Sequence, residues 1–323
     1  MLSEVATAPK TPLSYQAIVA DASLAAEGIL TLTLEAKDGV LPRWTPGAHI
    51  DFELAPGVVR QYSLCGNPED VFRWRIAVLR NEAGRGGSRY IHERIRIGQQ
   101  VGVSEPRNHF SLVDATSHFL VAGGIGITPL LPMVYELEAR GSAWQLIYLG
   151  RSREKMAFLD ELEKYGDRVQ AWPSDERGRF PVSQFLTSPS FGARVYCCGP
   201  APLLAAMTEA SATWPSASLH AERFQPVLQD TKSPSTEFEV ELAKSGEVFT
   251  IPKDKSILEV LETSGISVKT SCREGTCGTC EVYLVDGEAE HRDSVLTPEE
   301  QVANESLMIC CSRAKSRRLV LDI

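Results

Sequence analysis

Five of the eight cysteines crowd into two short stretches: S-C-R-E-G-T-C-G-T-C at residues 271–280, and L-M-I-C-C-S-R-A, where Cys310 and Cys311 are adjacent. Cys272, Cys277 and Cys280 are spaced C-x4-C-x2-C, with 29 residues between Cys280 and Cys310. In a chain this long, clustered cysteines serve as metal ligands or catalytic groups more often than as disulfides. This spacing is the plant-type two-iron pattern rather than the C-x2-C-x2-C-x3-C-P run of tetranuclear clusters. Four thiolates around iron and sulfide make an anionic site. A loop holding Gly275, Thr276, Gly278 and Thr279 can turn backbone N–H groups toward it. The alternative is structural zinc, but zinc ribbons usually pair two C-x2-C units and only one is present. If Cys310 and Cys311 sit in a strand they point to opposite faces, so only one completes the set. Cys310 is the preferred one.

A second kind of chemistry is written in glycine. G-G-I-G-I-T-P, residues 123–129, follows an apolar run and opens an amphipathic one. Glycines there admit a phosphate or sugar, and a helix N-terminus favours an anion. C-G-P at residues 198–200 ends a later apolar run. Beyond the carboxyl ends of parallel strands is where such sheets bind ligands. Cys197 reads as simple burial, whereas Cys198 is a site candidate. Upstream, R-Q-Y-S-L joins a cation, a ring and a hydroxyl. Period two puts Arg60, Tyr62 and Leu64 on one face, with Gln61 and Ser63 on the other. G-R-G-G-S, residues 84–88, opens a helix and can take a phosphate.

Elements that would position these groups fall into three regimes. Up to about residue 113 the runs are short and β-like, at 29–35, 49–54, 61–65, 72–80 and 100–104, with one helix near 88–94. Pro, Gly and Asn punctuate them, which predicts an antiparallel barrel or sandwich. From about residue 114 strand and helix alternate: strands at 118–122 and 145–150, helices at 130–140 and 158–165, then R-V-Y-C-C-G-P and a helix at 201–212. That rhythm predicts a doubly wound parallel α/β sheet. Residues 227–236 are polar with Pro and Ser and read as a linker. Beyond it come a hairpin from 238–243 and 248–252, a helix at 256–264, and strands at 280–284 and 319–323. The expected domains are 1–12 as tail, 13–113, 114–226, linker 227–236, and 237–323. No internal repeat is visible.

With 323 residues, two or three cores are expected. The net charge of −9 is uneven: residues 237–323 carry 17 acidic and 10 basic side chains. That asymmetry argues against nucleic acid and suggests docking on a basic protein surface. No apolar run of membrane-spanning length and no signal-peptide pattern is present. A cytoplasmic monomer off the membrane is the expectation.

R-x-Y-S-L, G-R-G-G-S, G-G-I-G-I-T-P, C-C-G-P, H-x-E-x-F at residues 220–224, and the cysteine segment through G-E-A-E-H-R-D and S-R-A-K-S follow in an order that resembles the phthalate dioxygenase reductase family. Vanillate demethylase reductases are close to it. The resemblance covers nearly the whole chain from about residue 13. It implies an antiparallel six-stranded FMN-binding barrel, an NAD-binding α/β domain and a C-terminal β-grasp ferredoxin domain with a 2Fe-2S cluster. Carried over by motif, Arg60 and Ser88 with the Gly86 and Gly87 amides would hold the FMN phosphate. Gln61, Tyr62 and Ser63 would lie by the isoalloxazine, and Ala77, Val78 and Leu79 would meet it through the backbone. Gly124, Thr128 and Cys198 would line the nicotinamide path, with Phe224 near the flavin. Ser63, Cys198 and Phe224 would stand at the reacting centre, and Cys272, Cys277, Cys280 and Cys310 would ligate iron.

What the resemblance implies is an NADH-dependent reductase passing single electrons through its own cluster to a separate Rieske-type oxygenase or demethylase. Plant-type clusters lie near about −400 mV and Rieske clusters between about −150 and +300 mV, so that transfer runs downhill. Two other readings stay open. One is a stand-alone flavin or ferric reductase with an ancillary cluster, or a reductase for another acceptor. The other is a ferredoxin-type carrier whose upstream domains only dock partners. Arg151, Ser152 and Arg153 could receive a 2′-phosphate, which leaves NADPH open. FMN rather than FAD rests on the resemblance.

Overall fold

A computed structural model describes residues 15–55, 58–186, 189, 191–215, 217–225 and 236–323. The expected tail at 1–12 and all but Thr236 of the expected linker lie outside them. The chain divides into two units, one running from Leu13 to Phe224 and the other containing residues 225–323.

The first unit begins with β1 (Tyr15–Ala26), β2 (Ile29–Ala36), β3 (His49–Ala55), β4 (Val58–Ser63), β5 (Arg73–Leu79), α1 (Gly87–Arg94) and β6 (Gln100–Val103). The six strands form one antiparallel sheet in the order β4-β3-β6-β1-β2-β5. A bridge between Leu64 and Ile76 joins its two ends, closing a barrel. Inside sit Ile50, Phe52, Leu64, Trp74, Ile76 and Val103, all fully buried. β1 was not foreseen as one long strand. Its register shifts at Val19/Asp21 and again at Leu24/Ala26, and each bulge breaks the alternation by which a strand is recognised.

Next come β7 (His118–Gly123), α2 (Ile127–Ala139), β8 (Trp144–Gly150), α3 (Leu159–Glu163), β9 (Val169–Pro173), α4 (Ser174–Arg177), α5 (Val182–Phe185), β10 (Arg194–Cys198), α6 (Ala201–Ala210) and β11 (Leu219–Glu222). The five strands are parallel in the order β11-β10-β7-β8-β9. Helices cover both faces. Leu120, Leu146 and Tyr196 pack with α2, while Val121, Val195 and Cys197 pack with α6. The strand order reverses between β7 and β10, the usual ligand crevice of such sheets. One apolar cluster contains Ile29, Cys65 and Ala77 of the barrel with Ile127, Leu130 and Phe158 of this layer, so barrel and parallel sheet share a core. The helix expected over 158–165 is shorter, because Phe158 takes a left-handed φ of 65° immediately before α3.

The second unit contains β12 (Phe238–Leu242), β13 (Val248–Ile251), α7 (Ile257–Thr263), β14 (Glu281–Asp286), β15 (Ala289–Glu290), α8 (Pro298–Ala303), β16 (Ser306–Met308), β17 (Arg313–Ala314) and β18 (Arg318–Leu321). A mixed sheet in the order β13-β12-β18-β14-β16 wraps α7, whose Ile257, Leu258 and Leu261 are buried against it, as in a β-grasp. α7 starts at a capping box: the Ser256 hydroxyl accepts from the Glu259 amide and the Glu259 carboxylate accepts from the Ser256 amide. Among the described residues, no helix is long and apolar enough to cross a membrane.

Candidate functional site

In the barrel, β4 and β5 are the terminal strands of the sheet, and the Leu64–Ile76 bridge just past β4, with the Cys65 amide donating to the Arg75 carbonyl at 2.8 Å, joins them. One step beyond that bridge on each strand stand Ser63 and Ala77, then Tyr62 and Val78. No ladder joins β4 to β5 there among the described residues, so two strand edges with backbone donors and acceptors face a gap. A planar heterocycle rimmed with hydrogen-bonding atoms fits such a gap. Tyr62 lies edge-on to Phe52 at 6.2 Å, and burial pushes its hydroxyl up to about 12, so it stays neutral. Gln61 points the other way, as period two requires, and its side-chain amide donates to Asp51 Oδ1 at 3.1 Å. Arg107 also reaches Asp51, at 2.7 Å. What Gln61 can offer a ligand at the gap is therefore its backbone.

At one end of this region lies the start of α1. Gly86, at φ 85°, is its N-cap, and no side chain caps the helix. The Arg60 side chain crosses so close to Gly87 that a Cβ there would meet Arg60 Cγ and Nε at 2.9 Å. A guanidinium, whose Nη1 donates to the Val59 carbonyl at 2.8 Å, laid beside a helix N-terminus without a side-chain cap is a fit for a phosphate. The Ser88 hydroxyl accepts from the Asn81 amide at 3.0 Å, tying the turn after β5 to the helix.

The parallel sheet supplies the second half. The turn Gly124–Gly126 leads into α2, and the Thr128 hydroxyl donates to the Ile125 carbonyl at 2.9 Å. A Cβ on Gly126 would fall 2.1 Å from the Cys198 carbonyl oxygen, so this glycine is what lets the two strand ends approach. The sequence reading named Gly124 and Thr128 and passed over Gly126. Cys197 and Cys198 are equally buried, on opposite faces of β10. The Cys198 thiol lies 3.8 Å from Glu222 Oε2 on the neighbouring strand, where β10 and β11 pair these two residues directly. Burial pushes the Glu222 carboxyl up to about 8, and burial together with Glu222 pushes the Cys198 thiol well above its ordinary value. Glu222 was present only as a letter in H-x-E-x-F. Its role becomes visible once strand pairing is known. Phe224, two residues later, is 43% exposed. A separate cavity of about 710 Å³ at the carboxyl end of the sheet is lined by Gly150, Trp172, Phe180, Pro202, Leu203 and Ala206.

In the second unit the thiols converge. Cys272 lies close to Cys277 and Cys310, and Cys310 close to Cys280 and Cys311. Those neighbours hold Cys272 well below the ordinary thiol value. The amides of Glu274 and Thr276 donate to Cys272 Sγ at 3.3 and 3.4 Å, and that of Thr279 to Cys277 Sγ at 3.5 Å. Four neighbouring sulfurs, two of them accepting backbone amides, fit the donor set an iron–sulfur cluster requires. Cys310 and Cys311 are not in a strand, which corrects the ground on which they were separated: β16 ends at Met308 and both lie in the following turn. The turn still parts them. Cys311 Sγ approaches the Met308 carbonyl at 3.7 Å and faces Gly275, while Cys310 faces Cys272 and Cys280.

Comparison with known proteins agrees with this anatomy. Residues 240–315 match a family model described as a 2Fe-2S iron-sulfur cluster binding domain. The chain is 39% identical, over 100% of both sequences, to the phenoxybenzoate dioxygenase subunit beta of Ectopseudomonas oleovorans. The crystal structure of phthalate dioxygenase reductase, described as modular for electron transfer from pyridine nucleotides to 2Fe-2S, is 38% identical with a TM-score of 0.70, over 95% of this chain and 97% of that one. An intact type IV self-sufficient cytochrome P450 monooxygenase is 41% identical with a TM-score of 0.90 over 96% of this chain, which spans 41% of that protein.

Proposed function

The chain belongs to the phthalate dioxygenase reductase family, the reductase components of oxygenase systems, and from that premise we propose that it moves electrons from NADH through FMN and a 2Fe-2S cluster to a separate terminal oxygenase. The observation that carries this reading is the position of β5. One of its edges opens on the gap beside Tyr62, while the Ala77 side of the strand packs in one cluster with Ile127 at the start of α2. Electron donor and acceptor sites are thereby adjacent. A flavin supplies the conversion the chain needs, accepting a hydride as an electron pair and giving electrons up singly.

The residues then have distinct tasks. Arg60, Gly86, Gly87 and Ser88 hold a phosphate at the α1 N-terminus, and the backbone of Gln61, Ser63, Ala77 and Leu79 holds the ring rim, with Tyr62 and Val78, whose backbones pair with β3 and β2, beside it. Gly124, Thr128 and Cys198 border the nicotinamide, with Glu222 holding a proton beside Cys198 at neutral pH. Phe224, exposed and two residues past Glu222, covers the site. Cys272, Cys277, Cys280 and Cys310 hold the cluster. NADH rather than NADPH is supported by Glu176, whose carboxylate meets Arg153 Nε at 3.0 Å and competes with any 2′-phosphate. The acidic character of residues 237–323 suits a basic docking face on the oxygenase.

The test is flavin identity and retention. Acid should release FMN from the purified chain. Arg60→Ala should weaken FMN binding about 10- to 100-fold, as expected for a lost charge-assisted bond. Retention of flavin by the variant at unchanged affinity would remove Arg60 from the phosphate site.

A further inference from the structure

The geometry points to Arg75 as a positioning residue for hydride transfer: its guanidinium pins the parallel sheet and its helices to the flavin-side end of the barrel. The inference rests on the reading that the flavin lies along the β4 and β5 edges. Arg75 is on β5, two residues before Ala77 and so on the same face of the strand. Its guanidinium makes two parallel bonds to Glu161 of α3, Nη1 to Oε1 at 2.7 Å and Nη2 to Oε2 at 3.0 Å. Nη2 also donates to the Cys65 carbonyl at 2.9 Å and lies 3.3 Å from the Tyr135 hydroxyl of α2. That hydroxyl donates to Glu161 Oε2 at 2.5 Å. Beneath the guanidinium, 4.7 Å away, is the ring of Phe158, the residue whose left-handed backbone starts α3.

One side chain therefore grips three elements from two layers. Cys65 is two residues past Ser63, so the pinned carbonyl belongs to the tail of the strand that carries Tyr62. The guanidinium is 24% exposed at its side chain and its partner 37%, so the pair is shielded without being sealed. Arginine is specifically suited: a lysine could meet Glu161 or Cys65, but could not form the planar fork. In the reaction, a hydride leaves the dihydronicotinamide with both electrons, oxidising it to the pyridinium and reducing the flavin ring by two electrons. Its rate is set by how closely donor and acceptor are held, and a misplacement of about 1 Å can cost about 100-fold. Arg75 touches neither partner and acts only through the seating of the layer.

The experiment uses full-length protein loaded with flavin and cluster, comparing Arg75→Lys and Glu161→Gln with the unmutated chain. Stopped-flow bleaching at saturating NADH should slow about 10- to 100-fold in both variants, with NADH affinity and flavin content within about twofold. The charge-transfer absorbance of the NADH–flavin pair should weaken in parallel. Amide hydrogen exchange supplies a readout independent of turnover: the peptide covering 157–165 should exchange faster in both variants. Glu161→Gln changes no side-chain volume, so it serves if Arg75→Lys folds poorly. Bleaching within twofold of the unmutated rate, a loss restored by more NADH, or unchanged exchange would each overturn the role. Failure of NADH to bleach the unmutated protein would instead bring down the flavin reading, and this inference with it.

Discussion

Cys198 and Glu222 sit side by side at the carboxyl ends of β10 and β11, thiol to carboxyl at 3.8 Å; burial holds the carboxyl protonated, and burial together with Glu222 does the same for the thiol. The carboxyl is raised from 4.5 to about 8, so the folded chain keeps a proton that the unfolded chain loses. Its contribution to stability is complete below about pH 4.5 and declines as pH rises through about 8. Glu222→Gln, which cannot titrate, should flatten this part of the pH dependence. Urea midpoints of both proteins between about pH 5 and 8 measure it, and parallel profiles would show that Glu222 ionises normally.

Gly275 has a left-handed backbone that favours glycine, at φ 69°, and a neighbourhood with no room for a Cβ, which would lie 2.5 Å from Cys311 Sγ and 3.0 Å from Asp293 Cα. Left-handed backbone alone costs an alanine about 1–2 kcal/mol. Gly275→Ala should therefore lower iron content and visible absorbance per chain. Gly28→Ala is the control: φ is 75° but no atom lies within 4 Å. It should cost stability alone and leave the cluster spectrum intact.

Cys310 and Cys311 are neighbours with different surroundings. Cys310→Ser should lose the cluster's visible absorbance and most bound iron. Cys311→Ser should retain both, because its thiol approaches the Met308 carbonyl and the neighbouring Cys310, whereas Cys310 meets Cys272 and Cys280 of the C-x4-C-x2-C loop. Iron and acid-labile sulfide assays on the two variants decide between them. The reverse pattern would assign the fourth ligand to Cys311.

Local chemistry was readable from the sequence, and contacts made by pairing were not. The C-x4-C-x2-C loop and the glycine turn at 123–129 are set by neighbouring residues, so spacing alone revealed them. An antiparallel barrel or sandwich and the parallel sheet followed from strand rhythm, whereas the six strands of the barrel and the β-grasp unit followed only from the family resemblance. Glu222 and Arg75 were invisible because each matters through a partner far along the chain or across a strand pair. The bulges at Val19/Asp21 and Leu24/Ala26 hid β1, and the left-handed Phe158 shortened α3 against its apolar pattern. Cys310 and Cys311 were separated on the premise of a strand, when the chain turns there after Met308.

The proposal as a whole turns on whether electrons from NADH reach the thiols of the second unit through the flavin. Anaerobic mixing of the loaded protein with one equivalent of NADH, followed by absorbance and by electron paramagnetic resonance, tests it directly. The expected result is flavin bleaching followed by the paramagnetic signal of a reduced 2Fe-2S centre, with Cys272→Ser retaining the bleaching and losing the signal. Bleaching without any cluster signal in the unmutated protein would contradict the account.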